Sequence, residues 1–432
     1  MSKLSKSNQT KILPEISEEA LAQDSEKMKL SLFNMTDYLQ GQNSKPLTYG
    51  IKAILDRLNH EFSDKISELA EVKSFKVKLP SFDKSNAKKM GFVGNFSVGD
   101  IIPAEVSRKV LVLTTWRSGS TFLGDLLNQN PGTFYFFEPL HFYASRNDIS
   151  KTQSETSFLK SLYKCEFGPE NIGYLHHVAH PNNTFLFQNH NFRLWNSCRN
   201  ILPQNTLCFL PEFLNHVCPY YPIKLIKTVR LSLWKVERLL EDPSMNLKVV
   251  LLVRDPRGIY NSRRTGPIAD WCSSADCTSP LIGCKDLSRD VQSAFQLEKK
   301  YPGSISLLRY EDLSLEPELT VRRILKFLSL PWTTAMATFI ATHTAKEKLR
   351  KVRNKKTKKM ERRHDPYGTA RNSAATAFAW RRKLGFEQIS SIQSACSDYM
   401  GLVGYKVIKK NEELQKWDLP IEKTAKDIWP YH

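Results

Sequence analysis

The stretch from Lys109 to His141, KVLVLTTWRSGSTFLGDLLNQNPGTFYFFEPLH, constrains the fold more than any other part of the chain. Val110 to Leu113 is an apolar run too short for an ordinary helix. Bounded by Lys109 and by Trp116-Arg117-Ser118-Gly119, it predicts a buried strand. Phe122, Leu123, Leu126 and Leu127 then recur at helical spacing until Asn130-Pro131-Gly132 stops them. A tight loop between strand and helix aims backbone N–H groups and the positive end of the helix dipole at one point, where an anion is stabilised. Gly119 lets the backbone come close, Ser120 and Thr121 add hydroxyls, and Arg117 adds a charged fork. The nucleotide-loop pattern GxxxxGK[ST] is absent. Taken alone, such a unit suits any α/β domain.

A second unit of the same kind follows downstream. Val249 to Val253 reads as a strand buried on both faces. It leads into Arg254-Asp255-Pro256-Arg257, with Asp255 placed to cap a helix that begins at Pro256. Arg254 leaving the strand and Ser262 about two turns along that helix can grip one phosphate between them; the plainer alternative is a capped turn with solvated arginines. Ile223 to Val229 and Ile305 to Leu308 read as further strands, and helices are predicted at Trp234–Leu240, Pro317–Leu328 and Phe386–Met400. Residues 142 to 220 show little period and are read as helices and loops over the core. The alternation predicts an α/β domain with a central, mainly parallel sheet flanked by helices, its ligands at the carboxyl ends of the strands.

Charge narrows the class of partner. The chain carries 63 basic and 44 acidic residues, a formal net charge of +19, which favours a polyanion: nucleic acid, an acidic membrane surface or an acidic polysaccharide. Lys346 to Arg363 holds eleven basic and two acidic residues and is read as a mobile, solvated loop with a share in polyanion binding. None of the eight cysteines forms CxxC, and HExxH is absent, so no metal site is expected. Three cysteines between Cys272 and Cys284 suit a local disulfide. Asn8, Asn34, Asn95 and Asn182 head N-glycosylation triplets.

Residues 1 to about 100 read as a polar, stem-like region, and residues 101 to 432 as the folded domain. Within the first region, Ile51, Leu55, Leu58, Phe62, Ile66 and Leu69 mark an amphipathic helix. It reads either as a coiled coil that joins two copies into a homodimer or as a helix packed on its own domain. No apolar run of 18 or more residues and no signal peptide is visible, so the chain reads as soluble unless its N-terminus is incomplete.

RSGSTFLGDLL and LVRDPRGIYNSR, together with FFEPLH, KTVRLSL, RYEDLSLEP, TARNS and the late Cys-x-x-x-Met…Gly-Tyr, resemble the Golgi carbohydrate sulfotransferases of the branch that acts on the 6-hydroxyl of galactose, N-acetylgalactosamine or N-acetylglucosamine. The resemblance covers Arg108 to Val407. It implies a single P-loop-like sulfotransferase domain and sulfuryl transfer from 3′-phosphoadenosine 5′-phosphosulfate (PAPS), without a metal, by in-line displacement. The acceptor would be a glycan or glycosaminoglycan and not a nucleic acid, and the setting the Golgi. It implies that Arg117, Ser118, Gly119, Ser120, Thr121 and Phe122 hold the 5′-phosphosulfate, with Arg117 also catalytic, and that Arg254 and Ser262 hold the 3′-phosphate. Glu138 stands where related enzymes carry the base, and His141 is the reserve. The apolar setting Phe136-Phe137-Glu138-Pro139-Leu140 is expected to raise the carboxyl pKa. A P-loop kinase would need the missing lysine motif. A non-enzymatic polyanion-binding protein is the alternative reading.

Overall fold

The structure, a computed structural model, describes residues 107–141 except 131, 154–199 except 169 and 170, 205, 208–209, 211–265, 268–269, 272–344, 350–353, 360–363, 368–415 and 420–429. The expected stem, the helix at 51–69, the boundary near residue 100 and the glycosylation triplets at Asn8, Asn34 and Asn95 lie outside the described residues. Asn182 is exposed.

Five strands form one sheet: β1 (Arg108–Leu113), β2 (Thr133–Phe137), β3 (Ile223–Thr228), β4 (Leu247–Val253) and β5 (Ile305–Arg309). Their spatial order is β2-β3-β1-β4-β5 and every pairing is parallel. The apolar runs explain this arrangement, since strands buried on both faces suit a parallel sheet covered by helices. Strand β2 is not evident as a strand in the sequence, because the aromatic run Phe134–Phe137 has no polar alternation.

Eight helices matter for the site and its support: α1 (Ser120–Leu127), α2 (Pro256–Arg263), α3 (Pro280–Lys300), α4 (Tyr310–Leu315), α5 (Pro317–Leu328), α6 (Thr334–Thr344), α7 (Phe386–Ala395) and α8 (Ser397–Val403). Leu123, Leu126 and Leu127 of α1 join Val321, Ile324, Leu325 and Leu328 of α5 and residues of α6 on one side of the sheet, against Val110, Val112, Val250 and Leu252. Those positions are the ones that the i, i+3, i+4 spacing selects. Helix α3 packs on β4 and β5 through residues outside that cluster. Between β2 and β3 the chain runs through short helices, among them Ser154–Lys164, Ile172–Ala179, Phe185–Gln188 and Phe192–Cys198. No helix of the described residues is long and apolar enough to cross a membrane.

Three expectations need correction. The helix expected from Phe386 to Met400 is two helices, α7 and α8, which meet at Cys396, whose backbone leaves the helical region (φ −118°, ψ 16°). The basic stretch read as a loop contains an antiparallel hairpin, β6 (Arg350–Arg353) with β7 (Met360–Arg363). The arginines after β4 are not solvated: Arg254, Arg257 and Arg263 are all buried. Arg257 donates to both Asp255 carboxylate oxygens, to Gln393 Oε1 and to the Lys406 carbonyl, and its guanidinium lies over the Trp380 ring. Full hydrogen bonding and an ion pair offset the desolvation of that buried charge.

All eight cysteines are paired: Cys165–Cys218, Cys198–Cys208, Cys272–Cys277 and Cys284–Cys396. The expected local bridge is Cys272–Cys277, while Cys284 reaches across to the α7–α8 break. Cys284–Cys396 spans a sequence separation of 112 against 5 for Cys272–Cys277, so it restricts the unfolded chain far more. Replacing Cys284 and Cys396 together by alanine is expected to lower stability by about 4–5 kcal/mol, and the Cys272/Cys277 pair by about half that, in the chain-entropy account. Denaturant unfolding of the two double variants checks the ranking.

Candidate active site

Parallel pairing places four carboxyl ends side by side. Strand β1 lies between β3 and β4, and β2 lies beyond β3. Trp116 to Ser120 follow β1, Glu138 follows β2, Val229 and Arg230 follow β3, and Arg254 follows β4. The chain order reverses around β1, the position where open α/β sheets leave a crevice for ligands. A cavity of about 1080 Å³ opens there, lined by residues of all four loops and by Tyr310, His343, Arg371 and Thr376.

The loop after β1 is built around Gly119 (φ 90°), in the left-handed region that glycine adopts freely. A Cβ at Gly119 would lie 2.5 Å from the Tyr310 ring, so the loop and α4 touch because residue 119 has no side chain. Arg117 is also left-handed (φ 71°), which for a non-glycine residue costs of order 1 kcal/mol or more and must be held by its surroundings. Those surroundings are Arg254, which donates from Nη1 to the Arg117 carbonyl at 2.7 Å, and Ser262, whose Oγ accepts from Arg117 Nε at 3.0 Å. The two loops singled out in the sequence are therefore one connected cluster. Arg254 also lies over the Tyr310 ring at 4.3 Å, and its Nη2 donates to the Thr376 carbonyl. Ser120 opens α1, while Thr121 and Phe122 are half-buried; all three line the cavity, and Phe122 packs on Phe339. Two buried atoms of this cluster lack a hydrogen-bond partner: Ser118 Oγ and Arg254 Nε. Arg254 Nε faces Gly258, where an added Cβ would lie 3.1 Å away, and Ser118 is not among the residues that line the cavity.

Glu138 is buried and left-handed (φ 49°). Its Oε1 accepts from Lys227 Nζ at 2.5 Å and its Oε2 from Arg230 Nη1 at 3.1 Å. This overturns the expected pKa shift. Burial pushes the carboxyl up, but Lys227, Arg230 and the Val229 amide together outweigh it, and the net shift is downward. The local sequence showed the apolar flanks but not the two cations, which arrive from β3. His141 lies in the same cavity, with Nδ1 2.9 Å from His177 Nε2. Burial, then Arg230 and His177, push its pKa down to about 4, so it is neutral at physiological pH.

Lys227 and Arg230 belong to KTVRLSL, whose resemblance was evident while its role was not. The signal that could have revealed them is the pair of lysines, Lys224 and Lys227, in an otherwise apolar strand. Both are buried; Lys224 donates to the Tyr221 carbonyl, and burial with Lys109 alongside pushes its pKa down to about 7. Asp125, Tyr310 and Arg371, which lie in the quoted motifs without an assigned role, and His190, which lies in none of them, also line the cavity. Among the described residues no group of three or more His, Cys, Asp or Glu side chains could hold a metal ion.

The family model described as Sulfotransferase domain matches residues 107–404. Carbohydrate sulfotransferase 1 of Mus musculus is 31% identical over 372 residues, covering 73% of this chain and 84% of that protein. Carbohydrate sulfotransferase 1 of Homo sapiens is 30% identical over 365 residues, with 72% and 82% covered. Carbohydrate sulfotransferase 4 of Mus musculus is 28% identical over 347 residues, with 70% and 83% covered.

The Glu138 pairs generate a prediction. Because the folded pKa is depressed, their contribution to stability is present above the ordinary carboxyl range and is lost as pH falls through the folded pKa. Lys227→Met leaves a buried carboxylate with one cation fewer and is expected to cost about 3–5 kcal/mol at pH 7. The deficit should narrow toward pH 4, where the variant's carboxyl is protonated. Chemical unfolding of parent and variant at the two pH values measures this.

Proposed function

The chain belongs to the carbohydrate sulfotransferases, built on the sulfotransferase domain, and from that premise we propose that it transfers a sulfuryl group from PAPS to the 6-hydroxyl of a Gal, GalNAc or GlcNAc residue in a glycan or glycosaminoglycan. One observation carries the reading. A connected cationic cluster, Arg117 with Arg254 and Ser262, shares a cavity with a buried carboxylate held by two cations.

The residues present fit the donor. Arg117, the amides and hydroxyls from Ser118 to Thr121, and the start of α1 would hold the 5′-phosphosulfate, with Phe122 at the edge of that group. Arg254 and Ser262 would hold the 3′-phosphate. PAPS supplies an activated sulfuryl group, and in-line displacement by the sugar hydroxyl leaves PAP. Arg117 is positioned to offset charge that develops on the leaving side. No metal is assigned a role, because the arginines and loop amides face the anion directly.

Glu138 is assigned the hydroxyl proton. Its depressed pKa keeps it ionised at neutral pH, so it is ready to accept without first losing a proton. The same depression weakens it as a base, and the acidity that the hydroxyl gains as its bond to sulfur forms must make up the difference. Lys227 and Arg230 hold the carboxylate on two sides and fix its direction. His141, neutral at physiological pH and hydrogen-bonded to His177, lies in the same cavity as the reserve base. The polar region ahead of residue 100 is proposed as a stem. Four disulfides favour an oxidising lumen, consistent with a Golgi setting.

Two variants test the assignment. Arg254→Ala is expected to weaken PAP by about 1.5–3 kcal/mol, the range for a lost charge-assisted bond. Calorimetric titration with PAP reads this, and unchanged affinity in a folded variant removes Arg254 from the donor site. Glu138→Gln keeps the shape and removes the base. Sulfate transfer to desulfated keratan, chondroitin or an N-acetylglucosamine glycoside should fall by about 10²–10⁴-fold per folded molecule at saturating donor. PAP affinity should stay near that of the parent; near-normal turnover would move attention to His141.

A further inference from the structure

On the wall of the cavity beside Glu138, one group of side chains has no part in the chemistry described so far. Asp125 of α1 accepts from His190 Nδ1 at 2.8 Å. The His190 imidazole lies flat on the Phe137 ring, with centroids 3.7 Å apart and planes 9° from parallel, and meets Tyr135 edge-on. The Asn128 amide donates to the His190 carbonyl, which ties the backbone to the end of α1. The ring is thus held by a carboxylate, an aromatic face and its own backbone, and its side chain is only 10% exposed.

Its second nitrogen is different. Nε2 makes no hydrogen bond among the described residues, yet it is not one of the buried atoms left unsatisfied, so it retains access to the cavity that His190 lines. Asp125 as a carboxylate only accepts, so the Nδ1 proton is directed to it, and the tautomer with its proton on Nδ1 carries a lone pair on Nε2. Phe185 also lines this cavity, an apolar ring left 43% exposed. Exposed aromatic surface and one fixed acceptor in a cleft are the chemistry that recognises a pyranose: its C–H face lies on an aromatic ring, and a hydroxyl donates to the acceptor. Asp125 disfavours a phosphate here, which separates this wall from the arginine cluster. Phe137 immediately precedes Glu138 and carries Lys227 Nζ 4.5 Å from its centroid, so one ring supports both His190 and the pair that holds the proposed base.

We propose that Phe185 and His190, with Asp125 as the positioning residue behind His190, form the acceptor-sugar subsite, in which His190 Nε2 accepts a hydrogen bond from a hydroxyl other than the one that is sulfated. The inference rests on the carbohydrate sulfotransferase reading above, and it assigns specificity to a hydroxyl. A site built to bond a hydroxyl discriminates strongly against a sugar that lacks it.

The test uses His190→Asn, whose side-chain amide keeps the donor to Asp125 while deleting Nε2, and Phe185→Ala at an exposed position. Three quantities are measured on the parent and both variants. They are the acceptor KM and kcat at saturating PAPS, PAP affinity by calorimetry, and binding of free galactose, N-acetylgalactosamine and N-acetylglucosamine by ligand-observed NMR. The expected result is an acceptor KM raised about tenfold or more, a smaller change in kcat, weakened sugar signals, and PAP affinity and melting temperature near those of the parent. Deoxy analogues of the acceptor should identify one hydroxyl whose removal harms the parent and leaves His190→Asn unaffected. Unchanged KM and sugar binding in both variants, or loss of PAP affinity instead, would overturn the proposal. If the parent fails to bind PAP, the donor reading falls, and the sugar-binding arm still decides the subsite.

Discussion

The parallel register of the sheet is the constraint on which the rest depends. Leu113 of β1 pairs with Thr228 of β3 and with Leu251 of β4, and Phe137 of β2 pairs with Lys227 of β3. Because each pairing is parallel, four strands end together, and residues far apart in sequence leave the sheet at one edge. An antiparallel strand among them would send its loop to the opposite end. The last ladder bond on β2, from the Glu138 amide to the Lys227 carbonyl at 2.8 Å, also sets the two residues side by side, so the buried ion pair follows from the register. The sheet thereby brings the carboxylate and its cation together before any side chain has to be steered.

Buried arginines and an acid do the corresponding work behind the edge. Arg257 links the start of α2 to Gln393 of α7 and to the Lys406 carbonyl, and Arg309 pairs with Asp312 and reaches the Val403 and Lys423 carbonyls. Glu311 accepts from the Asp255 amide and the Tyr405 hydroxyl, and burial together with Asp255 raises its pKa to about 7. The C-terminal segment is thus bound to the ends of β4 and β5, the strands whose loops carry Arg254 and Tyr310. The Tyr399 hydroxyl of α8 accepts from the Arg254 amide and donates to its carbonyl, and Arg254 in turn holds the strained Arg117 carbonyl.

Much of this was legible in the sequence because it rests on local signals. The strands β1 and β4 were apolar runs of the right length, α1 and α5 had the helical period, and Asp255-Pro256 announced the start of α2 with the cap that the structure shows. What escaped was non-local. Strand β2 is aromatic from Phe134 to Phe137, so neither period marks it, and its identity comes from pairing with β3. The break at Cys396 coincides with a disulfide partner 112 residues away, which no spacing within the helix displays. The downward shift at Glu138 depends on cations from another strand, so its apolar neighbours in sequence pointed the wrong way. The hairpin β6–β7 lay inside a run of like charge that reads as solvated loop until the pairing is seen.

The surroundings of Glu138 set two demands against each other. A buried carboxylate without partners would be the stronger base, but it would take up a proton at neutral pH and lose the role. One held by two cations stays ionised and points one way, at the expense of basicity. The left-handed backbone at Glu138 shows how this balance is maintained, since a non-glycine residue stays there only when its surroundings over-determine it. Lys227, Arg230 and the Val229 amide all grip the side chain from β3 and the loop after it, while the ladder bond grips the main chain. The ion pairs therefore hold the geometry of the turn as well as the charge of the carboxylate. Any change that frees the carboxylate to become more basic also frees the turn that aims it, so greater basicity and fixed direction cannot both be had at this position.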